Sequence, residues 1–295
     1  MVGTFTESTL LDVVSDDGGS GFMVRIARHV DEGVAWLWLV TYGLEGVHGF
    51  VDDELPISST RTPDDGGTAR YEVNLPKTHG SVGWIMRAGH ASMIEGGSCE
   101  IRVNGHHGPD VPRGPGAIEV ALSASFSPLF EAAGSNLPGR TESIVRVEAD
   151  IEIGGKTSSV SGLGQFHEQL QDAPRFDTPF TYVSLRSAGA ALVALRGPRA
   201  GGGVYLTRST GRSFMGFRMS AHDPAVPLAV RTFDCGGVDD KSPVATGSVT
   251  PIVTYSVPIL GGRRPSAVVT GTLNGTHVTG FVNDWSPPMS VLLHQ

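Results

Sequence analysis

The chain has 295 residues, 39% of them apolar, and sets 22 Lys and Arg against 30 Asp and Glu for a formal net charge of -8. That length and apolar content suit one large core or two ordinary ones. An acidic balance with no basic stripe among its aromatics argues against a nucleic-acid partner, and the longest apolar run, Val34 to Val40, is far too short to cross a bilayer.

Met1 to Gly21 has neither a basic start nor an apolar leader, so a cytoplasmic protein without an integral membrane segment is expected. Short β-favouring runs broken by turn residues dominate the remainder of the chain, and the reading is all-β. Phe22 to Ala27 turns at Asp31-Glu32-Gly33 into Val34 to Val40, a hairpin whose second strand is apolar on both faces. Cys99 and Cys235 are too few and too far apart for a disulfide framework or a zinc cluster, and read as buried thiols. Ser127 to Ala133 is the one helix-like piece, inside a Ser/Pro/Gly/Asn-rich passage from Phe126 to Arg140. A domain boundary is expected there, giving an N-terminal β-barrel over 1–139 and a C-terminal one over 140–295. In the second half, Ile144 to Ile153 turns at Gly154-Gly155 into Lys156 to Gln171. Val268 to Leu273 turns at Asn274-Gly275 into Thr276 to Val282.

The segment from Ser161 to Gln171 crowds polar side chains into a strand. Alternation puts Gln165, His167, Gln169 and Gln171 on one face, with Phe166, Glu168 and Leu170 on the other. Burying an amide without a partner costs about 1–3 kcal/mol. Such a face is therefore solvated, internally hydrogen-bonded, or turned toward a ligand cavity, and the third case makes it a site.

Gly162-Leu163-Gly164-Gln165-Phe166-His167-Glu168-Gln169 resembles the Gly-x-Gly-x-Tyr-His-Asp-His signature of the hydroxyneurosporene synthase (carotenoid hydratase) family. Phe166 stands in place of Tyr, Glu168 of Asp and Gln169 of the second His. Pro179 to Leu185, the Gly201-Gly202-Gly203 turn and Gly271 to Trp285 are similar to the layout of that family's second barrel. The resemblance implies two lipocalin-like antiparallel β-barrel or sandwich domains packed together. It also implies kinship with cyclases that close linear polyenes by [4+2] cycloaddition.

Hydrating an alkene needs a strong acid close to its base, and a lone His167 among amides suits that poorly. Cycloaddition needs no proton transfer. Holding the reacting ends together supplies up to about 7–11 kcal/mol, and a donor aimed at developing charge about 3–4 more. The expected catalytic group is His167, Gln165, Gln169 and Glu168. Gln171, Tyr182, Trp285, Trp36, Trp38 and Trp84 are the candidate substrate wall, since large rings can line an apolar pocket.

Other signals have plainer explanations. Gly155-Lys156-Thr157 lies in a hairpin turn, not before a helix as a phosphate loop would. His106-His107 lacks a third ligand and reads as a solvated loop, and Asn274-Gly275-Thr276 is explained by its turn. The polar strand taken with the resemblance therefore implies a cyclase of specialised metabolism, with no cofactor or metal, acting on an apolar polyketide or polyene as a monomer or homodimer. The alternatives are a hydratase or isomerase using His167 and Glu168, and a lipocalin-like carrier.

Overall fold

The computed structural model describes residues 6–43, 45–56, 62–63, 68–73, 80–88, 94–130, 133–134, 140–171, 176, 178–198, 201–223, 225–226, 228–236, 243–259 and 261–288, with backbone alone at 56, 62–63, 68–73, 80–88, 94–95, 133–134 and 171. Among the described residues there are twenty-one strands, and a single 3-10 turn at Val30–Glu32 is the only helical element.

The first sheet holds β1 (Thr6–Ser15), β2 (Gly21–His29), β3 (Val34–Gly43), β4 (Gly46–Pro56), β5 (Thr62–Pro63), β6 (Thr68–Val73), β7 (Gly80–Ala88), β8 (Ile94–His107), β9 (Ile118–Pro128), β10 (Ala133–Gly134), β11 (Arg140–Ile153) and β12 (Lys156–Gln171). Strand β12 pairs with β1, and β9 bridges β11 to β8, while β8 touches β4 at His48–His107 and Gly49–His106. Those pairings carry the order round on itself and close a barrel, which leaves few unpaired edges.

The second sheet holds β13 (Phe180–Arg186), β14 (Ala190–Arg196), β15 (Gly201–Thr207), β16 (Gly211–Met215), β17 (Phe217–Met219), β18 (Arg231–Cys235), β19 (Ala245–Ile259), β20 (Gly262–Leu273) and β21 (Thr276–Trp285). Its order runs from β16 through β15, β14, β13, β21, β20, β19 and β18 to β17. The two end strands are consecutive in the chain and meet at Gly216, whose φ of 88° favours glycine. This sheet is therefore also drawn into a curl.

Alternation along the strands produces three layers of burial. Leu11, Val24, Leu37, Val147 and Phe166 fill the first sheet's interior, and Leu185, Val249, Val269 and Val282 fill the second's. Opposite faces of the same strands meet in a seam. Leu10, Met23, Trp36, Trp38 and Val40 of the first sheet pack there against Val257, Val268, Phe281 and Trp285 of the second. Beside them, Phe130 and Ile144 pack against Tyr182, Val193 and Leu206. This third layer explains why β3 is apolar on both faces.

The three expected hairpins form with the expected turns: β2 pairs with β3, β11 with β12, and β20 with β21. Gly154, Gly155, Asn274 and Gly275 all adopt positive φ, as two-residue hairpin turns require. Two expectations are corrected. The helix over Ser127 to Ala133 is absent from the described residues there. Ser127 and Pro128 instead end β9 in register with Arg146 and Val145, and Ala133–Gly134 is a short strand. The division between sheets does not fall at 139/140, because the β11–β12 hairpin completes the first barrel. It falls between Gln171 and Phe180. The turn-rich passage before Arg140 is a connection inside the barrel, which composition alone does not distinguish from a linker.

Candidate functional site

The polar strand of the sequence is β12, and its register decides what it faces. Phe166 points into the first interior, stacked on Phe126 at 5.2 Å between ring centroids. Gln165 and His167 therefore point into the seam, where both are buried. The two glycines before them admit β1 closely: a Cβ on Gly162 would lie 2.0 Å from the Val14 carbonyl oxygen, and one on Gly164 2.4 Å from that of Asp12. Gln169 is half-buried, and Glu168 is half-buried on the Phe166 side of the strand. The side chains of Gln171 and Trp84 lie outside the described residues.

A network spanning both sheets surrounds Gln165 and His167. Arg140 Nη2 donates to Tyr182 Oη at 2.9 Å and to His167 Nδ1 at 3.0 Å, while Arg140 Nε donates to Glu142. Gln165 Nε2 donates to Glu142 and, at 2.7 Å, to Tyr182 Oη, which donates back to Gln165 Oε1 at 3.0 Å. Glu142 Oε2 lies 4.0 Å from His167 Nδ1. A guanidinium only donates, so His167 accepts at Nδ1, is neutral, and carries its ring proton on Nε2. Burial drives the Glu142 carboxyl above the usual range, against the pull of Arg140 and Gln165. At Arg140 burial opposes the charge but is outweighed by Glu142 and Tyr182, and the guanidinium stays protonated. Burial also raises the Tyr182 hydroxyl well above its ordinary value, keeping it a donor.

A second clasp lies alongside. Arg186 pairs with Asp12, donates from Nε to the Leu163 carbonyl at 2.9 Å and from Nη1 to Ser184 at 3.2 Å. Burial raises Asp12 too, with Arg186 pulling the other way.

The rest of the seam is aromatic. Phe176, between the sheets in sequence, stands 6.0 Å from both Trp36 and Trp38, 5.7 Å from Phe180 and 5.6 Å from Trp285. Trp285 Nε1 donates to its carbonyl at 2.9 Å. Arg25 and Arg264 place their guanidinium carbons 4.5 Å and 4.6 Å from the centre of the Trp38 ring. Strand pairing links the parts. Across the first sheet His167 stands opposite Leu10, Leu10 opposite Arg25, and Arg25 opposite Trp38. Across the second, Tyr182 stands opposite Asn283, Asn283 opposite Ser266, and Ser266 opposite Tyr255. The two rows share the seam.

A cavity of about 250 Å³ opens on the second sheet, with Tyr255 and Ser266 in its wall beside Pro109, His222, Arg231 and Asp284. His167 does not line it. Among the described residues no group of three or more His, Cys, Asp or Glu side chains is placed to hold a metal ion. His48 Nε2 and His107 Nδ1 meet at 3.1 Å at the barrel's closing contact. His106 and His107 thus end a strand and do not form the expected solvated loop. Both cysteines are buried and unpaired, and burial pushes the Cys235 thiol up to about 12.

Of the expected residues, the structure brings together Gln165, His167 and Tyr182, and separately Trp36, Trp38 and Trp285. Sequence reasoning missed Arg140, Glu142, Arg264 and Phe176. A usable signal existed for Glu142: counting back equally from the Gly154-Gly155 turn puts it opposite His167. Nothing local marks Arg264 or Phe176.

Fold and site together define a protein of two curled antiparallel sheets with a buried, partly polar seam between them, the lipocalin-like β architecture. Residues 3–166 match the family described as Domain of unknown function (DUF7064), and the chain belongs to that family. Solved structures share the fold at low identity. A Nitrosomonas europaea protein designated AttH is 12% identical with a TM-score of 0.64, over 96% of this chain and 92% of that one. CghA, also crystallised with Sch210972, is 11% identical with a TM-score of 0.64, over 97% and 89%. Kievitone hydratase from Nectria haematococca is 8% identical with a TM-score of 0.56, over 96% and 90%. No curated protein matches the chain. No helix among the described residues is long and apolar enough to cross a membrane.

Proposed function

We propose that this protein is a cofactor-independent cyclase that takes a long, largely apolar polyene or polyketide into the seam and folds it for ring closure by [4+2] cycloaddition. The observation that carries this reading is the seam's composition, in which aromatic rings adjoin a polar row that holds neutral donors in place. Trp36, Trp38, Phe176 and Trp285 stack on the chain of the substrate and set its conformation. His167 and Gln169 polarise a carbonyl on the reacting partner, and Gln165, whose two amide hydrogens are taken by Glu142 and Tyr182, holds the polar row in place. His167, fixed by Arg140, serves as a neutral donor from Nε2, and Tyr182 and Glu142 position Gln165. Alignment supplies most of the rate, up to about 7–11 kcal/mol, and donors aimed at the carbonyl about 3–4 more.

One contact favours a second reading, hydration, in which His167 works with Glu142. Their 4.0 Å approach and the raised Glu142 carboxyl suit an acid/base pair better than Glu168, which lies on the other face of the strand. Incubation of a linear polyene bearing an activated alkene, in isotopically labelled water, separates the readings. Cyclisation gives an unlabelled isomer of the substrate, hydration gives a labelled product, and a carrier returns the ligand unchanged. His167→Ala and Gln165→Ala should lower kcat more than they weaken binding. Unaltered turnover in both variants overturns the site assignment.

A further inference from the structure

Arg264 is buried at 6% exposure, its Nε is wholly shielded without a hydrogen-bond partner, and among the described residues no carboxylate forms an ion pair with it. Its observed contact is the face of Trp38. A buried cation without a counter-charge is costly, and native proteins rarely retain one unless something else completes it. The neighbouring polar atoms are similar. Trp38 Nε1 is a shielded donor with no acceptor, and Tyr255 Oη and Ser266 Oγ are shielded and meet no acceptor at full hydrogen-bond geometry, though Ser266 lies close enough to Tyr255 to act on its hydroxyl. Tyr255 and Ser266 are direct cross-strand neighbours, Arg264 stands two residues from Ser266 on the same face of β20, and Tyr255 acts electrostatically on Arg264. Burial pulls Arg264 down to about 10, so it remains charged at neutral pH. Both hydroxyl-bearing residues also belong to the wall of the 250 Å³ cavity.

Shielded donors with one fixed positive charge and no acceptor complement an acceptor-rich anionic group. We propose that the seam contains an anion subsite built from Arg264, Tyr255, Ser266 and Trp38, which selects ligands whose apolar chain ends in an ionised acidic head, a carboxylate or an enolate. The proposal rests on the reading that the seam is where the ligand binds. The head seats on Arg264 with Tyr255 and Ser266 donating, and the chain runs along the aromatic wall toward Tyr182 and His167. This fixes the ligand's orientation: the acidic end is held at the Trp38 side and the remainder is presented to the polar row.

Parinaric acid, a fluorescent conjugated polyenoic acid, and its methyl ester test this directly on the whole protein. The wild-type protein should bind the acid about tenfold or more tightly than the ester, the usual scale of a charge-assisted contact. R264Q should remove that preference by weakening the acid while leaving the ester within about twofold, and R264K should keep it. Equal binding of acid and ester by the wild type overturns the anion subsite while leaving an apolar seam site standing. An equal loss of both ligands in R264Q also overturns it. If neither probe binds the wild type, the seam reading fails and the subsite fails with it. The acid-to-ester ratio in the wild type needs no variant, so a variant that does not fold leaves the test intact.

Discussion

Glu142→Gln removes one carboxylate oxygen's charge while keeping the side chain's size, and it strikes the centre of the polar network. Glu142 is fully shielded and accepts from both Arg140 and Gln165. The substitution leaves the Arg140 guanidinium buried with only Tyr182 and His167 near it. Breaking a buried pair on one side costs about 3–5 kcal/mol, chiefly because of the charge left behind. With about 2.1 cal/mol/K of unfolding entropy per residue, the chain's unfolding entropy is about 0.6 kcal/mol/K, so Tm should fall by about 5–8 °C. Thermal unfolding followed by near-ultraviolet circular dichroism measures this. The control is Glu148→Gln, whose partner Arg146 is at the surface, with side-chain exposures of 62% and 36%, and it should barely move Tm. Replacing the pair together, Arg140→Met with Glu142→Leu, should recover most of the loss, since apolar residues can substitute for a buried ion pair. A Tm within about 1 °C of wild type for Glu142→Gln, or a double variant no better than the single one, would refute the view that this pair is an uncompensated charge risk.

Four further outcomes are expected. Arg264→Met should raise Tm by about 2–3 °C at neutral pH, because burying the charge, which pulls its value down to about 10, costs about 3 kcal/mol and loss of the Trp38 contact returns about 1–2 of it. Linkage sets the sign: a cation whose value is depressed by folding destabilises fully below about pH 10, and the penalty lifts only as pH climbs beyond that toward the range of a free guanidinium. A lower Tm in this variant would mean the guanidinium is well compensated. Gly164→Ala should cost about 1–3 kcal/mol in urea unfolding, since its Cβ meets the Asp12 carbonyl oxygen at 2.4 Å and Val147 at 2.6 Å. Tyr42, Tyr182 and Tyr255, all raised by burial, should resist ionisation in an ultraviolet pH titration until the fold opens. Cys99 and Cys235 should react with a thiol reagent only after denaturation, because burial disfavours both thiolates.

How much of the molecule was legible in its residues varies with the range of the interaction. Hairpins were readable because a Gly154-Gly155 or Asn274-Gly275 turn and its flanking strands are local, and such turns also fix register. The polar face of β12 was readable for the same reason of alternation. What it faced was not, since Tyr182 reaches Gln165 only after two sheets have formed and met. The division between sheets was misplaced because the Ser/Pro/Gly-rich stretch before Arg140 looks like a linker, whereas β12 pairing with β1 depends on residues far apart in the chain. Arg264 illustrates the limit: next to Arg263 it reads as one of two surface cations. Pairing parity alone sends Arg263 out to Asp110 and Ser256 and turns Arg264 inward.

Phe176 belongs to neither sheet, yet its ring touches Trp36, Trp38, Phe180 and Trp285, and its φ of 63° is one that a bulky residue rarely adopts without being held. The stretch of chain joining the halves thereby contributes a wedge to the aromatic packing between them. Lengthening or cutting that stretch would withdraw the ring as surely as mutating it, so the spacing between Gln171 and Phe180 governs how the halves pack as well as how they connect.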